Sequence, residues 1–434
     1  MHSASALFRN LVVIAITAAF LPCLANAAKP TAPSKKIGHV TTSEDPQTNI
    51  WLASLRQRVD KEGKQPYKPS VQKFADLIAS DGIVRMYVSE MLTEAAKRNA
   101  AIDSPDVLLK ALNLIIQEAP QFADGNYFPV STLFVYMMDT EAGRDAFAYP
   151  AINTALRDIL KEWCAYLDSP VSLNVLNKEN GWLSPKSVAA NALAQCIIPQ
   201  PDGPHGGFTS FNDFFHRKIR PELRPIAEPE NAKVITSSND GSVYAIAHHV
   251  KKTDQFWIKK QRYSLYDMLG GSPFTDRFVG GDVIQSFLSG NDYHRYHAPI
   301  AGTVREVRVV DGLMFSALNL GVFDKTAGTL SQGYQASVNT RGLLFIESED
   351  PKIGTVCMIP IGITEVSSVH FSVKEGDVVK KGQEVGYFSY GGSSMCLVFQ
   401  PGTVKKFLVT PAPNLESGDD GPKIKVNQAI AEGN

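Results

Sequence analysis

The sequence predicts an α+β protein, an N-terminal helical domain followed by a β-rich domain, and three observations carry that prediction. Up to about residue 196, apolar residues recur at helical spacing. Residues 199–207 (PQPDGPHGG) then break the chain with proline and glycine. Beyond the break, short β-branched and aromatic runs alternate with Gly and Asp-Gly turns. A chain of 434 residues has room for two or three domains and an ample core. With 43 Lys and Arg against 44 Asp and Glu, the net charge of −1 gives no basis for a nucleic-acid partner.

The elements follow in order. Arg9, the apolar run from Leu11 to Ala25 and the Ala25-Asn26-Ala27 site make residues 1–27 a secretory signal peptide, cut after Ala27. That places the protein in the periplasm or outside the cell. The alternative is a retained membrane anchor, for which the run is short. Residues 28–46, rich in Lys, Pro, Ser and Thr, read as a disordered linker. Residues 47–200 form the helical domain. Leu108, Leu112, Ile115 and Ile116 share one face after the start signal Ser104-Pro105-Asp106, and Ile152, Leu156, Ile159, Leu160 and Trp163 repeat it. Such stripes are core, and they assign no role to the domain. Cys164, Cys196, Cys357 and Cys396 are widely spaced in apolar contexts with no C-x-x-C, so buried free thiols are favoured over disulfides.

The β-rich domain covers 208–410, with a tail at 411–434. Strand-like runs lie at 233–236, 242–248, 302–309, 343–347, 355–360, 365–373 and 395–400. Residues 298–304 (APIAGTV) and 373–385, with the phrase EGDVVKKGQ, resemble strand-turn units of lipoyl- or biotinyl-type barrel-sandwich folds. This fixes architecture and leaves chemistry open.

The chemistry centres on Tyr390-Gly391-Gly392-Ser393-Ser394, a small flexible step inside an apolar run. A serine hydroxyl can attack the carbonyl of the residue before it, and glycine at 392 permits the backbone geometry this requires. The peptide becomes an ester. β-Elimination then leaves dehydroalanine at 393, and tautomerisation with hydrolysis gives an N-terminal pyruvoyl group and ammonia. That ketone captures an amine as a Schiff base and withdraws electrons, as pyridoxal phosphate does elsewhere. His294 and His297, in residues 292–299 (DYHRYHAP), supply a general base for the serine and a group to manage a proton on the substrate carbon. Asp240, before Gly241, can orient an imidazole. Taken singly, the step is a turn, the histidines are core residues and Asp240 is a turn aspartate. His248-His249 reads as a solvated strand end, and His370 as core or pocket.

In their order, Asp240-Gly241, DYHRYHAP, the EGDVVKKGQEVGYF hairpin, the GGSS step and residues 211–226 (FNDFFHRKIRPELRPI) resemble the phosphatidylserine decarboxylase family across residues 208–405. The resemblance implies a proenzyme that cuts itself between Gly392 and Ser393. Asp240, His297 and Ser393 would be its processing triad, His294 the histidine of decarboxylation, and Ser393 the source of a covalent pyruvoyl cofactor, with no metal. It also implies a carboxy-lyase of two chains, homo-oligomeric, converting phosphatidylserine to phosphatidylethanolamine at a possible membrane surface. Two features depart from the family pattern. Ser394 stands where threonine is usual, and the helical domain is similar to a subgroup that includes fungal L-tryptophan decarboxylases. A free aromatic amino acid such as L-tryptophan is therefore the alternative substrate, and no basic amphipathic helix stands out to dock on lipid. Two remoter readings are an exported zinc peptidase using His294, His297 and Asp240, which lacks an H-E-x-x-H, and a binding module without catalysis.

Overall fold

Proline and short polar side chains mark where the helices begin. The computed structural model describes residues 45–434, except 64, 123–124, 192, 255–262, 322, 325, 366–367 and 412–420. The expected signal peptide and nearly all of the expected linker lie outside the described residues. Helices α1 (Pro46–Glu62), α2 (Pro69–Ser80), α3 (Gly82–Ala96), α4 (Pro105–Ile115), α5 (Pro129–Met138), α6 (Glu141–Ala148), α7 (Pro150–Leu167) and α8 (Pro185–Ala190) make the first layer. Six of these eight open on proline, whose missing N–H is unpaired at a first turn in any case. Asp45, Asp81, Ser104, Thr140 and Ser184 cap N-termini with their side chains. The stripes read from the sequence on α4 and α7 are buried as expected. None of the helices among the described residues is long and apolar enough to cross a membrane.

A short helix, α9 (Phe211–Phe215), leads into the sheets, and α10 (Leu265–Met268) and α11 (Gln332–Val338) are small insertions. The strands are β1 (Val234–Thr236), β2 (Gly241–Ala247), β3 (Asp282–Leu288), β4 (Arg295–His297), β5 (Gly302–Val310), β6 (Arg341–Glu347), β7 (Thr355–Ile363), β8 (Val369–Phe371), β9 (Val378–Val379), β10 (Glu384–Phe388), β11 (Gly392–Phe399), β12 (Val404–Phe407), β13 (Lys423–Ile424) and β14 (Ala429–Gly433). An eight-stranded sheet runs β13-β2-β3-β11-β7-β6-β5-β9, beside three-stranded sheets β4-β10-β8 and β1-β14-β12. The two barrel-sandwich-like segments meet each other: β5 pairs with β9 and β4 with β10. The expected tail at 411–434 is corrected for its described part. β14 is the middle strand of its sheet, paired antiparallel with β1 and β12 and burying Ile430 and Ala431, and β13 extends β2.

The two layers share a core. Met314, Phe315 and Tyr390 of the sheet portion belong to the helical cluster, and Asn153 of α7 bonds both to the Gly312 carbonyl and to the Met314 amide. All described residues fall within one compact unit. Glu365, just past β7, clasps the start of α5 by accepting from the amides of Val130 and Ser131, and Ser131 Oγ donates to Thr364 Oγ1 at 2.7 Å. Burial holds the Glu365 carboxyl up at about 8 despite those amide donors. The folded chain therefore keeps a proton that the unfolded chain releases from about 4.5 upward. This group's contribution to stability is full below that pH and is lost as pH climbs to about 8. Glu365→Gln removes the titration, so wild-type stability should fall relative to the variant between about pH 5 and 8, by on the order of 1 kcal/mol per pH unit in urea melts. Parallel profiles would mean that no buried acid titrates there.

Candidate active site

The ladder around β11 decides which of its side chains enters which core. Successive strand residues face opposite sides. Met395, Leu397 and Phe399 join one apolar cluster with Ile284, Leu288 and Met358. Cys396 and Val398 join the other with Val283, Cys357 and Ile359. Ser394 falls on the second side, where its hydroxyl accepts from Gln285 Nε2 and donates to the Ser286 carbonyl, both at 2.9 Å. Ser393 falls on the first. Its backbone pairs with Leu288 and Gly362; its side chain is fully buried, and Oγ has no hydrogen-bond partner among the described residues. A buried hydroxyl left so costs about 1–3 kcal/mol. Of two adjacent buried serines, one is tied into the structure and the other is unclaimed.

The residues before Ser393 are held from outside the sheet. Gly391 has φ 139°, a conformation that a side chain disfavours. The Tyr390 amide donates to Asn212 Oδ1 at 3.0 Å. Its ring packs among Phe128, Trp163, Phe211 and Phe215, with centroids 5.2–6.1 Å away. Asn212 is fixed in turn by donating to Asp168 Oδ1, beyond the end of α7, at 2.9 Å.

His294, just before β4, is fully buried, and neither ring nitrogen makes a well-directed hydrogen bond among the described residues, although the backbone of Asp292 and Gly391 lies close to the ring. Its ring lies 4.1 Å from that of Phe215. Burial first, then the Arg217 guanidinium, depresses its pKa to about 3, opposed by the backbone at Asp292 and Gly391. His294 is therefore neutral at physiological pH. His297 is arranged differently. Nδ1 lies 2.7 Å from the Gly382 carbonyl, which can only accept, so Nδ1 carries the proton and Nε2 accepts from the Tyr293 hydroxyl at 3.0 Å. Burial lowers its pKa, while the Gly382 carbonyl, Glu384 and Asp240 oppose that fall. The His297 amide bonds to the Ser238 carbonyl at 2.9 Å, bringing the Asp240 turn alongside β4.

Asp240 is gripped by Arg224 through both carboxylate oxygens and by the Val426 amide at 2.7 Å. Asp240, His297 and Ser393 thus form no continuous hydrogen-bonded chain in this state. Among the described residues no group of three or more His, Cys, Asp or Glu side chains could hold a metal ion. His248 is exposed and bonds Asp282. His370 bonds Ser389 Oγ and stacks on Tyr387. All four described cysteines are free.

Comparison with known proteins identifies the family. The sequence profile described as phosphatidylserine decarboxylase matches residues 211–432, and a second with that description matches the helical region at 68–191. The chain belongs to the phosphatidylserine decarboxylase family. It is similar to the decarboxylase iboD of Amanita muscaria, 38% identical over 63% of this chain and 84% of that one. It is also similar to the L-tryptophan decarboxylase of Psilocybe cubensis, 28% identical over 83% and 85%. The phosphatidylserine decarboxylase proenzyme of Chlamydia trachomatis is 33% identical over 47% of this chain and 64% of its own. The protein is a decarboxylase, a carboxy-lyase.

Sequence reasoning on this decarboxylase missed Arg224, Tyr293, Asn212, Phe215, Arg217 and Glu365 as neighbours of the site. Five of them lay inside motifs already singled out, so the signal was present without a role. Glu365 gave none: it opens the strand-like run 365–373, where a glutamate is ordinarily exposed, whereas the strand begins at Val369. Ser394→Ala strands one Gln285 N–H and the Ser286 carbonyl, and should lower stability by about 1–2 kcal/mol in denaturant melts. An unchanged midpoint would mean that Ser394 is not the tied serine.

Proposed function

We propose that this decarboxylase cuts its own chain between Gly392 and Ser393, that Ser393 becomes a pyruvoyl group, and that the mature enzyme decarboxylates a free aromatic amino acid. The observation that carries this reading is the unclaimed, fully buried Ser393 hydroxyl next to a glycine-only backbone turn. Ser393 Oγ, losing its proton to a base, attacks the Gly392 carbonyl carbon, and the peptide nitrogen leaves protonated. Loss of the Ser393 α-proton with C–Oγ cleavage gives a Gly392 carboxylate and dehydroalanine at 393. Water then replaces its nitrogen, which departs as ammonia. The oxygen without a partner leaves with Gly392, so Ser393 fits as the source of the group. Asp240 and the Gly382 carbonyl both raise the proton affinity of His297 against its burial, which suits the base. Tyr293 holds Nε2, and either relays the proton or gives way. The pyruvoyl ketone supplies the electrophile that takes up the substrate amine and draws electrons from the carboxylated carbon. His294, neutral and with neither nitrogen in a well-directed hydrogen bond, can carry a proton to that carbon.

A free aromatic amino acid is supported by which named relatives align across the helical region. The two L-tryptophan decarboxylases of Psilocybe align with 83% and 94% of the chain, whereas the Chlamydia trachomatis phosphatidylserine decarboxylase proenzyme aligns with 47%. Phosphatidylserine is the second reading, favoured by the description of both matching profiles, at 211–432 and across the helical region at 68–191. Wild-type protein should run as two chains, the smaller being residues 393–434, and Ser393→Ala as one. An active wild type that stays uncut sinks the mechanism. Carbon dioxide should be released from L-tryptophan at least tenfold faster than from phosphatidylserine vesicles; the reverse ratio selects the second reading. Asn212→Leu, which frees the Tyr390 amide, should slow cutting at least tenfold on a gel time course while the protein stays folded by circular dichroism.

A further inference from the structure

The surroundings of Tyr390 are unusual for a side chain that only anchors a strand. Rings from the helical layer (Phe128, Trp163) and from α9 (Phe211, Phe215) enclose it. Its hydroxyl is nevertheless buried with no hydrogen-bond partner among the described residues. So is Oε2 of Glu365, whose carboxyl is near enough to raise the Tyr390 pKa further. A box that matches a planar ring, yet leaves two polar atoms at its edge unsatisfied, is an imperfect fit for the residue occupying it.

We infer that this box is the substrate's side-chain pocket, filled by Tyr390 in the uncut chain and vacated by it after the cut. Its ligand class is an amino acid whose side chain is an aromatic ring with an N–H or O–H at its edge. The inference rests on the self-cutting read above and goes beyond it by locating specificity. Two physical points support the vacating step. Tyr390 stands two residues before the bond that breaks, separated from it only by Gly391 and Gly392, so the cut releases one end of its segment. The cut also creates a carboxylate at Gly392, next to the fully buried Ser393. An unpaired charge there is costly and moves toward water or a cation. Against this pull, the main chain of Tyr390 is held by the Asn212 bond, and its ring by packing alone. A substrate whose amine is engaged at 393 carries its ring a few bonds away, in the neighbourhood that Tyr390 now fills. An edge N–H then meets Glu365 Oε2, which a tyrosine in the box leaves unmet. On this view the uncut chain is closed to substrate by its own side chain, and the helical layer walls the specificity pocket.

The test uses 3-methylindole, which has the ring and no amine, so it cannot react at position 393. Calorimetry should find saturable binding to the cut wild type, at least tenfold tighter than to uncut Ser393→Ala protein. Tyr390→Ala in that same uncut Ser393→Ala background opens the box without any cut, and should restore binding at least tenfold. Equal affinity of the cut and uncut forms puts the ligand elsewhere and overturns the inference. Binding to the Tyr390→Ala protein but not to the cut wild type also overturns it, because Tyr390 then stays in place as an anchor. Failure of the Tyr390→Ala protein to bind overturns the box itself. A wild type that remains one chain defeats the reading of function and the vacating step together, a result the gel reports separately from any binding outcome.

Discussion

The site depends on the double ladder that holds β11 between β3 and β7. Eight residues of β11 are paired on one or both sides, and their side chains alternate between two cores. A slip of one residue would exchange Ser393 and Ser394 between faces. The unclaimed hydroxyl would then meet Gln285 and Ser286, and the tied one would lie on the other side. The strand therefore chooses which serine is available before any catalytic group is considered. The neutral, buried His294 and the Asp240–Arg224 pair belong to segments that this sheet aligns.

The helical layer completes what the sheet begins. Trp163 and Phe128 reach across to Tyr390, Asp168 steadies Asn212, and the start of α5 takes the Glu365 carboxyl. A layer joined to the sheets only by polypeptide would have little influence on chemistry. This one contributes walls around Tyr390 and, through Asp168, steadies the Asn212 that holds the Tyr390 amide.

Much of the architecture was legible because it rests on local rules. The Ser104-Pro105-Asp106 start and the α7 stripe are written in short-range periodicity and turn chemistry. The two look-alike segments were recognisable as strand-turn units, and their pairing as β5 with β9 came from the fold. What stayed hidden was long-range. Nothing local says that the chain end folds back as β14 in the middle of a sheet, because strand partners are set by tertiary packing. Likewise Asp240, His294, His297 and Ser393 were named from their residue types, but the grip of Arg224 on Asp240 and of Tyr293 on His297 depends on segments that meet only in the fold. The alternation that separates Ser393 from Ser394 was present in the sequence. Its meaning needed the two cores.

The chain end has a further consequence for the history of the molecule. Strands β11 to β14 find partners among β1, β2, β3 and β7, and the Val426 amide holds Asp240. If the chain is cut before Ser393 as proposed, the shorter piece is not a released peptide but a woven part of the fold. A cut molecule that unfolds loses the covalent link that brought those strands together, and reassembly becomes an encounter between two chains. Its durability is then measured by how slowly it opens, a lifetime more than an equilibrium.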